Sequence, residues 1–177
     1  MKRLFIAALF AVSFATPAFA GPPGAEKQTQ AGDPVVHYAD DDAEMNAARA
    51  EARRTYPMFL AQFRAASPGA RQRDYMVKLG LDGVFGRLEH IWVDNLHIEG
   101  DRIVGALANE PVELANMFRG SPVVVEEARV SDWAIISPQG MYGNFTTRVM
   151  MRDIAPDEAA RLREVLAPTA LPPGWSQ

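Results

Sequence analysis

The sequence predicts an α+β domain, a curved antiparallel β-sheet of four to six strands packed against a kinked N-terminal helix and a C-terminal helix. Three observations carry this expectation. Apolar residues recur every three or four positions from Met45, they alternate every second position through Tyr75–Leu81, and Pro156 opens a second helical stretch. A sheet that alternates apolar with polar residues must bury one face under something amphipathic, so helices laid on a sheet follow.

Ahead of this domain, Lys2 and Arg3 precede an apolar run, Leu4–Ala15, which Pro17 and the small-residue site Ala18-Phe19-Ala20 close. This is the layout of a signal peptide over residues 1–20. The run is well short of the roughly 20 residues that a membrane-spanning helix needs. The expected product is a soluble periplasmic protein starting at Gly21, with no transmembrane segment. Removal of Lys2 and Arg3 leaves it more acidic than the formal charge of −4 on the whole chain. That balance argues against a nucleic-acid partner, whose phosphates are met by clustered Lys and Arg. The absence of cysteine excludes disulfides, thiol nucleophiles and cysteine-type zinc sites.

Residues 21–37 are expected to form a flexible leader, because Gly21–Asp33 is polar, rich in Gly and Pro, and nearly free of large apolar groups. A single domain spans 38–167, and a Pro-rich tail, 168–177, is expected to be exposed or laid along the surface.

In the first helix Met45, Ala48, Ala52, Tyr56, Phe59, Leu60 and Phe63 share one stripe, and Asp40, Asp41, Asp42 and Glu44 suit its positive end. Pro57 predicts a kink or restart, and Ser67-Pro68-Gly69 a stop. Strands are expected at Tyr75–Leu81, Leu88–Ile98, Arg102–Leu107, Val123–Val125 and Trp133–Ile136. Glu99-Gly100-Asp101 suits a hairpin turn, and Gly80, Gly83 and Gly86 are read as turn glycines. Phe145–Met151 is read as helical rather than as a strand. The last helix begins at Pro156 and places Leu162, Val165 and Leu166 on one face.

Chemistry is sparse. On a strand, His90, Trp92 and Asp94 project from one face and Glu89, Ile91 and Val93 from the other. His90 and Asp94 would lie roughly 13 Å apart, too far to share a metal, and no metal or cofactor is expected. Asp132, next to an apolar strand, is expected to accept backbone amides or to pair with Arg148 across the Gly143 loop. Ser121, Ser131 and Ser137 lack a nucleophile-elbow context. The arginines Arg49, Arg53, Arg54, Arg64, Arg71 and Arg73 gather on and after the first helix, where they suit a solvated face.

Asp42-Ala43-Glu44-Met45-Asn46-Ala47-Ala48, Glu89-His90-Ile91-Trp92-Val93, Asn109-Glu110-Pro111, Ser131-Asp132-Trp133 and Gly143-Asn144-Phe145-Thr146-Thr147-Arg148 occur in that order. Together they resemble the YegJ-like bacterial domain of unknown function, over about residues 38–167. The resemblance implies a small bacterial domain and brings no catalytic residues with it.

The leading expectation is a non-catalytic periplasmic domain that binds an envelope protein or small ligand. The candidate ligand-binding residues are His90, Trp92, Asp132, Trp133, Tyr142 and Arg148. The competing expectation is a hydrolase-like enzyme that uses His90 with Asp132, helped by Glu89 or Arg148.

Overall fold

The computed structural model describes residues 25–28, 35–38, 42–84 and 86–175, in two units divided after Asp42. In the first, strands β1 (Ala25–Gln28) and β2 (Val35–Tyr38) pair antiparallel, with Ala25 opposite Tyr38 and Gln28 opposite Val35. The stretch expected as a flexible leader therefore carries a short ladder. The signal-peptide segment lies outside the described residues.

The second unit runs α1 (Ala43–Ala65), α2 (Pro68–Asp74), β3 (Tyr75–Asp82), β4 (Leu88–Glu99), β5 (Arg102–Leu107), β6 (Pro122–Val124), β7 (Val130–Ser137), β8 (Gly140–Gly143), α3 (Phe145–Met150) and α4 (Pro156–Val165). Its six strands form one open sheet in the order β6-β5-β4-β3-β7-β8, and every neighbouring pair is antiparallel. This is the expected α+β architecture.

The predicted stripe of α1 is the buried one, with Met45, Ala48, Ala52, Tyr56, Phe59 and Phe63 turned inward. The helix continues through Pro57 instead of restarting there. Proline removes one helical hydrogen bond, but aromatic packing holds the turns on both sides of it: Tyr56 stacks on Phe59 at 5.5 Å and Phe59 on Phe63 at 6.2 Å. Glu44 in the first turn forms an ion pair with Arg152, tying α1 to the segment after α3.

Ser67-Pro68-Gly69 is more than a stop. Ser67 Oγ accepts from the Ala70 amide and Pro68 occupies the first turn of α2, which the sequence reading did not foresee. Arg71, in that helix, donates to the Phe63 and Arg64 carbonyls at 2.9 and 2.5 Å, so part of the arginine cluster is spent on closing the C-terminus of α1. Arg54 pairs with Glu51 and Arg73 with Asp74, which disperses more of it.

Strand β8 was also unforeseen. Gly140 and Gly143 both have positive φ, and a Cβ at Gly143 would lie 2.0 Å from the Trp133 carbonyl oxygen. Only glycine brings this edge strand so close to β7. Beyond α4 the tail folds back on the sheet: Ala167 donates to the Met141 carbonyl, Gly143 to that of Ala170, and the Trp175 ring lies 5.4 Å from that of Trp133. Ala170, Leu171 and Trp175 pack half-buried against the core while Pro168, Thr169, Pro173 and Gly174 are exposed, so the tail lies along the surface of the domain. No helix among the described residues is long and apolar enough to cross a membrane.

Candidate functional site

Strand β3 sets the geometry of the site, with β4 on one side and β7 on the other. Across one ladder Gly80 faces His90 and Lys78 faces Trp92; across the other Lys78 faces Asp132 and Leu79 faces Val130. Ser131 is thus an extra residue, a β-bulge that breaks the alternation of β7. It allows Ser131 to lean over β3. Its Oγ lies 3.2 Å from the Lys78 carbonyl and 2.9 Å from His90 Nδ1. A Cβ at Gly80 would meet His90 Cε1 at 3.1 Å, so the glycine read from the sequence as a turn residue is a mid-strand gap that admits the imidazole.

Above this gap is a cleft of about 210 Å³, lined in part by Arg53, Gly80, Leu88, His90, Arg129 and Ser131. Burial pulls the His90 pKa down, and Arg49, Lys78 and Arg53 lower it further, to about 4. The ring is therefore neutral near pH 7. Arg129 is fixed at the rim by the Gly80 carbonyl at 3.2 Å, Asp82 at 2.8 Å and Glu126 at 3.2 Å. Arg53 is exposed, and no hydrogen bond or ion pair holds it among the described residues. Of these residues the sequence reading singled out only His90 as a ligand contact. A glycine interior to an alternating strand, opposite a histidine, was the available signal for the rest.

One residue along β7 the arrangement is closed. Asp132 is fully buried, and its Oδ1 accepts from the Trp133 and Phe145 amides at 2.8 and 3.2 Å. Its Oδ2 accepts from the Thr146 amide at 2.8 Å and the Thr146 hydroxyl at 2.6 Å. Lys78 Nζ donates to that hydroxyl at 3.0 Å and lies 5.0 Å from the centre of the Trp92 ring. Burial raises the Asp132 carboxyl above its ordinary range and lowers the Lys78 ammonium, and each charge opposes the other's shift. Asn144, the residue before α3, makes no side-chain cap, so Asp132 caps the first turn of that helix from a neighbouring strand.

Arg148 is not the partner of Asp132, contrary to the sequence expectation. It donates to four carbonyls instead, those of Gly143 at 3.0 Å, Ala167 at 2.9 Å, Thr169 at 3.3 Å and Met141 at 3.4 Å. The amides of α3 reach Asp132 first, and the returning tail offers Arg148 a denser set of acceptors. The other part of the expectation holds, since Asp132 does accept backbone amides.

The six residues expected to bind ligand are thus dispersed. His90 lines the cleft; Trp92 is half-buried against Lys78; Asp132 is sealed in the Lys78–Thr146 network. Trp133 is wholly buried, and its Nε1 donates to Ala52 O and Thr55 Oγ1 at 3.1 and 3.0 Å. Tyr142 is buried and Arg148 is engaged with backbone. The acid–base pair of His90 with Asp132 is not assembled, because the carboxylate's oxygens are occupied and withdrawn from solvent. Glu89 cannot assist: its two oxygens hold the Val112 and Glu113 amides, each at 2.8 Å, anchoring the loop after β5. No cluster of three or more His, Asp or Glu that could hold a metal ion is present among the described residues.

A family model described as uncharacterized protein conserved in bacteria (DUF2314) matches residues 42–166, and the chain belongs to this family. Over 133 residues, 72% of the chain, it is 34% identical to a Neisseria meningitidis serogroup B protein named as an ankyrin repeat protein, covering 53% of that protein. Over 81 residues, 46% of the chain, it is 26% identical to the uncharacterized protein YegJ of Escherichia coli K12, covering 53% of it. The YegJ-like resemblance of the sequence motifs is thereby borne out. The chain spans about half the length of these curated relatives. No solved structure matches it.

Proposed function

We propose that this member of the DUF2314 family is a non-catalytic binding domain of the bacterial envelope that receives a small ligand in the cleft above Gly80. The cleft carries the reading, because it is the place where a neutral histidine, an arginine with no partner among the described residues and a glycine gap come together. Catalysis is disfavoured by two occupancies. Asp132 is committed to α3, and Ser131, although within hydrogen-bond distance of His90, is only 1% exposed. The meningococcal relative is named for ankyrin repeats, which build binding surfaces, and this fits a domain used as a binding module.

Export to the periplasm is part of the proposal, and it rests on the basic start, apolar run and small-residue site of residues 1–20. Intact-mass measurement on the envelope fraction is expected to find a chain beginning at Gly21; retention of Met1–Ala20 would refute export. The cleft is tested by soaking crystals with small-molecule fragments. Density above Gly80 is expected in the wild type and absent in Gly80→Val, which fills the gap. Fragments collecting elsewhere, or a hydrolytic activity lost in His90→Ala, would refute the reading.

A further inference from the structure

We propose that the group received in the cleft is an oxyanion, a phosphate or a carboxylate, recognised by Arg53 together with His90. This rests on the cleft being the binding site. The first argument is the balance of charge around the imidazole. Arg49 and Arg53 from α1 and Lys78 from β3 all act on His90, and Arg129 lines the same cleft. Of the nearby carboxylates, Asp132 is engaged with the α3 amides and Lys78, Asp82 and Glu126 with Arg129, and Glu51 with Arg54, while Glu127 is exposed beside Ala128 of the cleft lining. Arg129 and Lys78 are thus offset by these acids, and the cations left to act on the cleft are Arg49 and Arg53 of α1, in a chain that carries −4 as a whole.

The second argument is the state of the donors. Arg53 is an exposed guanidinium at the mouth, with five N–H groups and no partner among the described residues. His90 places Nδ1 on Ser131 and makes no hydrogen bond through Nε2 among the described residues. The Ser131 hydroxyl donates to the Lys78 carbonyl, so Nδ1 carries the neutral ring's proton, and Nε2 donates to an oxygen-rich anion only when the ring is protonated, whereas the guanidinium donates throughout. The third argument is size. About 210 Å³ accommodates one such group and is below the volume that drug-sized ligands occupy, so the cleft holds a small anion or the charged end of a larger molecule.

An anion beside His90 favours its protonated form, so binding takes up a proton and tightens as pH falls from neutral toward 5. Arg49, Arg53 and Lys78 oppose that protonation, while buried Asp132 is already paired.

The test is amide chemical-shift titration of the mature chain at constant ionic strength with inorganic phosphate, acetate and glycerol. Phosphate or acetate is expected to shift Gly80, His90 and Ser131 saturably, the tighter of the two assigning the ligand to phosphoryl or carboxylate compounds. Arg53→Gln is expected to weaken that binding about tenfold, the loss of one charge-assisted hydrogen bond. Arg54→Gln, which removes an arginine already paired with Glu51, is expected to leave it unchanged. Equal weakening in both variants would overturn the assignment to Arg53. Glycerol shifting these amides while both anions do not would overturn the oxyanion inference and leave the cleft as the binding site. Silence from all three probes, with no fragment density above Gly80, would overturn both.

Discussion

Asp132 and His90 flank the same strand, one across from Lys78 and the other across from Gly80, and they differ in how completely their surroundings satisfy them. Asp132 receives four donors and a neighbouring ammonium, and no solvent reaches it. His90 has a single hydrogen-bond partner among the described residues, Ser131, and opens to a cleft rimmed by arginines. Two polar clusters one or two residues apart therefore do different work. Saturation turns charge into structure, and incomplete saturation leaves it available to a ligand.

The largest effect should come from breaking the saturated side. Asp132→Ala removes the acceptor for the first turn of α3 and leaves Lys78 buried without its counter-charge, a loss of about 3–5 kcal/mol in urea unfolding. Adding Lys78→Met should recover part of it, whereas adding Arg148→Met should recover none. Recovery by Arg148→Met instead would mean that the carbonyl clamp has been misread.

Next in size is Arg148→Ala, which orphans carbonyls of β8 and of the tail and should cost about 1–3 kcal/mol. Trp133 emission should shift to the red as Trp175 loosens. An unchanged spectrum would show that the tail holds without the guanidinium.

A smaller effect follows from His90. Its folded pKa of about 4 lies below the ordinary histidine value of 6.5, so protons bind the unfolded chain more readily. Its contribution is complete above about pH 6.5, declines as pH falls toward about 4, and changes no further below that. The slope of stability against pH in this window should be reduced in His90→Gln. A slope that persists undiminished would assign it to other groups.

The smallest effect is Arg53→Gln, which should leave unfolding within about 0.5 kcal/mol of wild type, as befits an exposed side chain with no partner among the described residues. A large destabilisation would place Arg53 among the structural charges and remove the contrast with Asp132.

Periodicity made β3 legible, since its apolar residues alternate in the sequence and it ends at Asp82-Gly83, and the turn Glu99-Gly100-Asp101 made the β4–β5 hairpin legible. It failed where one residue serves two purposes. Pro68 looks like a terminator and is also a helix opener; Gly140 and Gly143 look like turn residues and are also an edge strand. Gly80 belongs with them, a supposed turn glycine that makes room for a ring. The pairing of Asp132 with Arg148 was inferred from nearness in sequence, whereas Lys78, 54 positions upstream, faces Asp132 across the ladder. Register is a tertiary quantity, and a bulge such as that at Ser131 shifts it by one residue without leaving a mark in composition.

The tail gives the domain a direction in time. Residues 166–175 cover Trp133 and accept the Arg148 guanidinium, yet a ribosome makes them after every strand that they close over. Until they emerge, the largest side chain of the core lacks its last neighbour and β8 lacks the backbone partners that the tail supplies. The sheet is thus completed only when the last residues of the domain have been made.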